Sequence, residues 1–379
     1  MSHRKSKPIT LMLLLSSVVT LGCSSGEDEV SGFAGLAEQI EQDAGQGAGY
    51  LQPGPGDAIE LPADLGPHPQ HRIEWWYLTA NLTTGAGEPL GLQWTQFRQA
   101  LEPRSPQDNP PPAEQWPLQS VWMAHAAVSH DGEHYFHEKL ARGDIGHAGA
   151  VAEPFQVWLD AWRLAEREDP DGDPQWRLQV NGPGWGYNLL LQPRRAPVFH
   201  GDQGFSAKSA GGEGSMYFSY VDMAIEGTVT LKGETLAVHG TGWLDREWSS
   251  QFLKSGQKGW DWLALHLDSG AKLMAFRLRE EDGGPFKSGT WVPAEGEPIS
   301  LSGDEVMIEP VATRSTSRGQ VPTRWQVKVP GQDLDVVVSA VPGDYWNLGV
   351  FPYWESPVRV SGSHEGRGYL ELTGYGADE

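Results

Sequence analysis

Apolar residues along this chain come in short runs that alternate with polar ones and stop at turn signals. Trp122 to Val128 runs into Asp131-Gly132, Leu263 to Leu267 into Asp268-Ser269-Gly270, and Leu273 to Leu278 into Asp282-Gly283-Gly284. Short alternating runs ended by Gly, Asp or Ser are the pattern of strands joined by tight hairpins. No window longer than about ten residues keeps a clean 3.6-residue apolar period, so long helices are not expected. The pattern predicts an all-β chain of antiparallel sandwiches or barrels.

One run occurs twice. Trp75-Trp76-Tyr77-Leu78-Thr79-Ala80-Asn81-Leu82, a turn at Gly85 and then Phe97-Arg98 line up with Trp260-Asp261-Trp262-Leu263-Ala264-Leu265-His266-Leu267, a turn at Gly270 and then Phe276-Arg277. Amphipathic hairpins resemble one another by composition alone, which is the competing explanation. Two related halves account for it better, with a boundary near residue 250 and domains over 67–250 and 251–379. The roughly 310 residues involved are enough for two domains.

Composition changes the picture mainly at the N-terminus. Arg4, Lys5 and Lys7 precede an apolar stretch from Ile9 to Leu21, and Gly22-Cys23 follows. The stretch is shorter than the roughly 20 residues of a stable membrane span, so residues 1–22 read as a secretory signal peptide. Cys23 is the single cysteine. It is either an incidental thiol of a discarded leader or the acylated first residue of a lipoprotein after a Thr20-Leu21-Gly22-Cys23 lipobox, the reading preferred here. That implies a lipid anchor, and Ser24 after the cysteine favours the outer membrane of a Gram-negative envelope. Residues 23–66, rich in Gly, Pro, Asp and Glu apart from a short stretch with Phe33, Leu36 and Ile40, read as a flexible tether. Loss of residues 1–22 takes the formal charge from −22 to −25, which disfavours nucleic acid as a partner.

Several constellations are candidates for chemistry. Glu74-Trp75-Trp76-Tyr77 places a carboxylate among three large rings, with Glu74 and Trp76 on one face of a strand and Trp75 and Tyr77 on the other. Its structural alternative is core packing, with Glu74 paired to an arginine such as Arg98. In Trp243-Leu244-Asp245-Arg246-Glu247-Trp248-Ser249, Asp245 and Glu247 share a face, with Cα atoms about 6.5 to 7 Å apart. Two such carboxyls can split into a protonated acid and an ionised base, or can be a structural ion-pair cluster. Asp261, between Trp260 and Trp262, and Glu355, after Tyr353-Trp354, are further acids beside aromatic rings. His125 lies in an apolar strand, where a satisfied core histidine is the common outcome and a site role the other. His130, His134 and His137 have helical metal-ligand spacing, but Asp131-Gly132 reads as a turn inside the set, so no metal site is assigned. Gly212-Glu213-Gly214-Ser215-Met216 lacks the closing glycine of a nucleophile elbow, and no phosphate-binding or dinucleotide loop stands out, so no cofactor is expected.

At these residues the chain resembles the AttH/CrtC-like family. The resemblance rests on Glu74-Trp75-Trp76-Tyr77, Gln93-Trp94-Thr95-Gln96-Phe97-Arg98, Met123-Ala124-His125-Ala126 and Met216-Tyr217-Phe218-Ser219-Tyr220. It continues through Gly242 to Ser249, Gly259-Trp260-Asp261-Trp262, Tyr353-Trp354-Glu355 and Gly368 to Tyr375, in family order over about residues 67–376. It implies two tandem lipocalin-like antiparallel β-barrel domains, and relatives that include carotenoid 1,2-hydratases and predicted secreted hydrolases. Family members often read Asp-His-Glu-Trp where this chain has Asp245-Arg246-Glu247-Trp248. If that histidine donates the proton in the hydratases, Arg246 cannot replace it, which argues against carotenoid hydration.

The expected function is binding of an apolar, isoprenoid or lipid-like molecule, with acid/base-catalysed water addition or hydrolysis as its reaction. Asp245, Glu247, His125 and Glu74 are the catalytic candidates. Trp75, Trp76, Tyr77, Gln93, Phe97, Tyr217, Trp248, Trp260, Asp261, Trp262, Tyr353 and Glu355 are the ligand-binding ones. The alternatives are a non-catalytic binding partner of an ABC-type envelope exporter and a carbohydrate-active protein, since tryptophan platforms beside paired acids also suit sugars.

Overall fold

A computed structural model describes residues 49–103, 118–143, 145–167, 174–251, 253 and 256–376. Residues 1–22, expected to be a signal peptide, Cys23 and the stretch holding Phe33, Leu36 and Ile40 lie outside the described residues. Within them the chain is all-β, its helical content limited to single 3-10 turns such as Ala63–Leu65 and Pro330–Gln332.

The first sheet opens with β1 (Ile73–Thr84), β2 (Pro89–Ala100), β3 (Ser120–His130) and β4 (Glu133–Arg142). It continues with β5 (Ala148–Val151), β6 (Gln156–Leu159), β7 (Trp162–Arg167), β8 (Gln175–Gly182) and β9 (Trp185–Pro193). The short strands β10 (Val198–Phe199) and β11 (Phe205–Ala207) and the long hairpin β12 (Gly214–Leu231) and β13 (Glu234–Ser249) complete it. The second sheet comprises β14 (Gln257–Leu267), β15 (Lys272–Glu280), β16 (Phe286–Val292), β17 (Ile299–Leu301) and β18 (Met307–Thr316). After them come β19 (Gly319–Val329), β20 (Leu334–Ala340), β21 (Trp346–Asn347), β22 (Tyr353–Gly362) and β23 (Gly366–Leu372).

Both sheets are antiparallel and share one plan. A four-stranded meander comes first, a second meander follows, and a final hairpin returns so that its last strand pairs with the first: β13 with β1, and β23 with β14. The repeated Trp75 and Trp260 motifs therefore occupy the same place in their sheets. Each sheet curls around its own core, giving the tandem lipocalin-like barrels implied by the family resemblance. Turn chemistry follows the sequence: Asp131 and Gly132 both take positive φ, as a two-residue hairpin turn between β3 and β4 requires.

Strand alternation produces three cores. Trp76, Leu78, Ala80 and Leu82 of β1 point into the first barrel, which Trp94 and Trp162 also fill. Leu263, Leu265 and Leu267 of β14 fill the second. The opposite faces meet: Tyr77, Tyr217 and Trp243 of the first sheet pack on Trp262, Phe276 and Tyr369 of the second. The approach is close enough that a Cβ at Gly91 would lie 2.9 Å from Pro357 Cγ and from Tyr369 Oη. Asn81 Nδ2 donates to the Gly368 carbonyl across this seam at 3.0 Å.

The expected tether requires correction over its described part. Pro53 is buried, Leu51 N donates to Gln70 O at 3.0 Å, and Leu65 joins the first core. The Leu65 carbonyl accepts the Trp76 indole N–H at 2.9 Å, and the Gly66 carbonyl accepts Arg246 Nη2 at 2.5 Å. These buried donors need acceptors, so residues 51–66 are a docked strap rather than a free linker.

Candidate functional site

The site lies between the barrels. A cavity of about 160 Å³ opens where the outward faces of β1, β2, β12 and β13 meet those of β14, β15, β22 and β23. Its walls carry Trp75 and Tyr77 from β1, Thr95 and Phe97 from β2, and Tyr217 from β12. The second sheet supplies Trp260, Trp262, Phe276 and Tyr353. Trp75 and Trp260, repeat equivalents, both reach it, and Tyr77 meets Trp262 edge to face at 5.3 Å between ring centroids. The interiors of both barrels are filled by side chains.

Asp245 and Glu247 enter from adjacent outward positions of β13. Asp245 accepts hydrogen bonds from Ser219 Oγ and, at 2.6 Å, from the Trp243 indole N–H. Burial pushes its carboxyl up to about 7, against the lowering effect of those donors. Glu247 accepts from Ser215 Oγ and is paired with Lys208 Nζ at 2.9 Å. One carboxyl thus holds its proton near neutrality while its neighbour is ion-paired with a lysine. A third acid, Glu371 of β23, accepts from the Trp260 indole N–H at 2.6 Å and is also raised to about 7, chiefly by burial. Glu355 stands opposite it on β22; burial and the Glu371 charge push it well above the ordinary carboxyl range. It accepts from the Tyr77 hydroxyl and from Asn347 Nδ2, so it backs the cavity wall rather than lining it.

His125 and Gln93 also stand one layer back. His125 Nδ1 lies 2.9 Å from the Tyr353 hydroxyl, and Gln93 Nε2 donates to that hydroxyl at 3.2 Å. His130, His134 and His137 have separate neighbours: the Pro89 carbonyl, Ser129 with Asn347, and the Trp162 ring. Among the described residues, no three His, Cys, Asp or Glu side chains converge as a metal site requires.

Four expected site residues face the other way. Glu74 points into the first barrel, where it pairs with Arg98 and Arg246 and accepts from the His68 backbone N–H at 2.9 Å. Burial would raise its pKa, but the two guanidiniums outweigh it and hold the carboxyl well below its ordinary value. The structural alternative for Glu74 is the one realised. The Arg246 guanidinium lies over the rings of Trp76 and Trp248, at 4.0 and 5.2 Å from their centroids, and His68 stacks on Trp248 at 3.8 Å. These tryptophans serve the ion-pair cluster rather than a ligand. Asp261 is held by Arg277 Nε at 2.5 Å and Arg279 Nη1 at 2.6 Å. The cause is common to all four: period-two alternation sends them to the opposite face from Trp75, Asp245 and Trp260. Arg246 itself therefore does not line the cavity.

Sequence reasoning missed Glu371, Lys208, Thr95 and Phe276. Glu371 carried a signal, an acid in the apolar run Tyr369-Leu370-Glu371-Leu372; Lys208 carried none.

Two curled antiparallel sheets, packed outer face to outer face around an aromatic cavity with buried acids, define a tandem lipocalin-like protein. The fold is matched by the comparisons with known proteins. The chain belongs to the AttH-like family, whose model matches residues 52–375. The crystal structure of an AttH protein from Nitrosomonas europaea superposes with a TM-score of 0.74 at 32% identity, covering 85% of this chain and 98% of that one. Kievitone hydratase from Nectria haematococca shares the fold at a TM-score of 0.61 and 17% identity, covering 85% of this chain and 97% of its own. CghA, solved with Sch210972, shares it at 0.53 and 13% identity, over 86% and 97%. No curated protein sequence matches the chain significantly.

Proposed function

We propose that the cavity between the barrels binds an apolar, unsaturated small molecule and catalyses water addition to it, with Asp245 as acid and Glu247 as base. The observation that carries this reading is the pair itself: a carboxyl raised to about 7 by burial beside one held by Lys208, in one aromatic cavity. Protonation of an alkene by Asp245 creates a carbocation, and ring faces such as Trp75 and Trp262 stabilise positive charge. Glu247 then takes a proton from the attacking water. The volume limits the ligand. About 150 Å³ of apolar cavity accommodates a benzene-sized group. A cavity of about 160 Å³ therefore accepts a ring or a short branched end rather than a whole long polyene. That one structural neighbour is a hydratase, kievitone hydratase, supports this chemistry.

The protein is further proposed to work in the cell envelope, exported by residues 1–22 and anchored through acylated Cys23. The test of function begins with native mass spectrometry of ligands co-purified from that compartment. With the ligand in hand, Asp245→Asn and Glu247→Gln are expected to keep its affinity within a few-fold and abolish its hydration. Equal loss of binding and turnover in both variants would falsify the mechanism.

A further inference from the structure

One oxygen of Asp245 ends a chain of hydrogen bonds that runs from the second sheet into the first. Trp243 Nε1 donates to Asp245 Oδ1 at 2.6 Å, and Ser219 Oγ bonds the same oxygen. Behind them His200, which follows β10, has Nε2 2.7 Å from Ser219 Oγ and Nδ1 2.8 Å from Thr290 Oγ1 of β16. The His200 backbone N–H donates to the Tyr217 carbonyl at 3.0 Å, and its ring rests on the Tyr217 ring at 4.2 Å between centroids, which fixes the imidazole in place. His200 and Ser219 are fully buried. Burial, helped by the Lys208 charge, lowers His200 to about 3, so its ring is neutral and carries one N–H. A neutral imidazole donates at one nitrogen and accepts at the other, and each hydroxyl has one hydrogen, so the chain can run in only two directions. In one, Thr290 donates to Nδ1, Nε2–H donates to Ser219, and Ser219 donates to Oδ1. In the other, Asp245 carries its proton on Oδ1 and gives it to Ser219, away from the cavity. Trp243 decides between them. An indole N–H only donates, and an Oδ1 that already bore the acid proton would be a poor acceptor for it.

We infer that Trp243, Ser219, His200 and Thr290 hold Oδ1 of Asp245 as an acceptor and so place its acid proton on Oδ2, the oxygen left to the cavity. The inference deepens the proposed role of Asp245 as acid and rests on it. The remaining polar neighbour of the carboxyl is the Tyr217 hydroxyl, whose oxygen accepts the Trp262 indole N–H at 3.2 Å. Tyr217 and Asp245 both line the cavity. Between them they hold two hydrogens and use one on each other, so one is left for the ligand whichever of the two donates. Transfer of that hydrogen to the ligand carbon breaks one O–H bond. The electron pair ends on the Asp245 carboxylate, since burial holds the Tyr217 phenol well above its ordinary value. Ser219 and Trp243 already face Oδ1, so the new charge meets two donors that need not move. Asp245 is the catalytic group. Ser219, Trp243, His200 and Thr290 act through it and are positioning residues. Because Thr290 comes from the second sheet, the direction of the acid proton is set only when the two barrels are docked.

The test reads the proton rather than turnover and needs no ligand. The full chain is studied below the pH at which Asp245 ionises, by nitrogen NMR of histidine-labelled protein and by infrared spectroscopy. The His200 signals are those lost in His200→Gln, and the Asp245 carboxyl band is the one lost in Asp245→Asn. The native protein is expected to show the Nε2–H tautomer at His200 and a protonated Asp245 whose carbonyl band is lowered in frequency by two hydrogen bonds. In Ser219→Ala, Oδ1 keeps only the Trp243 indole, so the band is expected to move to higher frequency. An Nδ1–H tautomer or an imidazolium at His200, or a band that stays in place in Ser219→Ala, overturns the positioning and leaves Asp245 standing as the acid. The native tautomer decides the direction by itself, so the test survives a Ser219→Ala chain that does not fold. Absence of a protonated Asp245 band at that pH overturns the acid, and the positioning with it.

Discussion

Asp245 makes the stability of this fold depend on pH in a calculable way. Unfolded, its carboxyl titrates near 3.8; folded, burial raises it to about 7. Between those values the native state binds more protons at this residue than the unfolded state, so its contribution to stability is fully present below 3.8 and is lost as pH rises through 7. At about 1.4 kcal/mol for each tenfold change in proton affinity, the loss has a ceiling of about 4 kcal/mol. The carboxyl is 2% exposed, so solvent screening reduces that figure little. Asp245→Asn keeps the shape and an acceptor for Ser219 and Trp243 while removing the titration. Urea unfolding followed by tryptophan fluorescence, from about pH 4 to about pH 8, should show the variant gaining on the native protein as pH rises, then levelling off. Other acids titrate in both proteins and largely cancel in the difference. A difference that is flat over this range, or that shrinks with rising pH, refutes the assignment of Asp245 as a desolvated acid.

Two further outcomes follow from the same structure. Glu74→Gln leaves Arg98 and Arg246 buried without their shared carboxylate and is expected to cost about 3–5 kcal/mol in thermal or denaturant unfolding. Because that cluster faces away from the cavity, ligand quenching in the folded variant should match the native protein. Cys23→Ser is expected to move the chain from the membrane to the soluble fraction of the host cell, and a variant that still sediments with membranes removes the anchor from the proposal.

Much of the fold was legible in the chain because strand periodicity is a local property. The alternation around Trp75, Trp122 and Trp260 and the Asp131-Gly132 turn predicted antiparallel strands, and the repeated motif pointed to two halves. The same periodicity separated Asp245 and Glu247 from Arg246, and Trp75 and Tyr77 from Glu74 and Trp76. What alternation leaves undetermined is which face is the interior. Both faces of β1 are buried, one in a barrel and one in the seam between barrels, so hydrophobicity alone could not tell core tryptophans from cavity tryptophans. That decision belongs to packing between residues far apart in sequence: Tyr77 against Trp262 and Glu355, Gly91 against Pro357, His125 against Tyr353. Tertiary structure likewise turned Glu74 from a candidate acid into the counter-ion of Arg98 and Arg246, and brought Lys208 and Glu371 to Asp245 and Glu247. The sequence by itself determined the strands and the faces of each; only the meeting of the two sheets decided which face became a site, because a cavity and a shifted carboxyl exist only where two surfaces exclude water together.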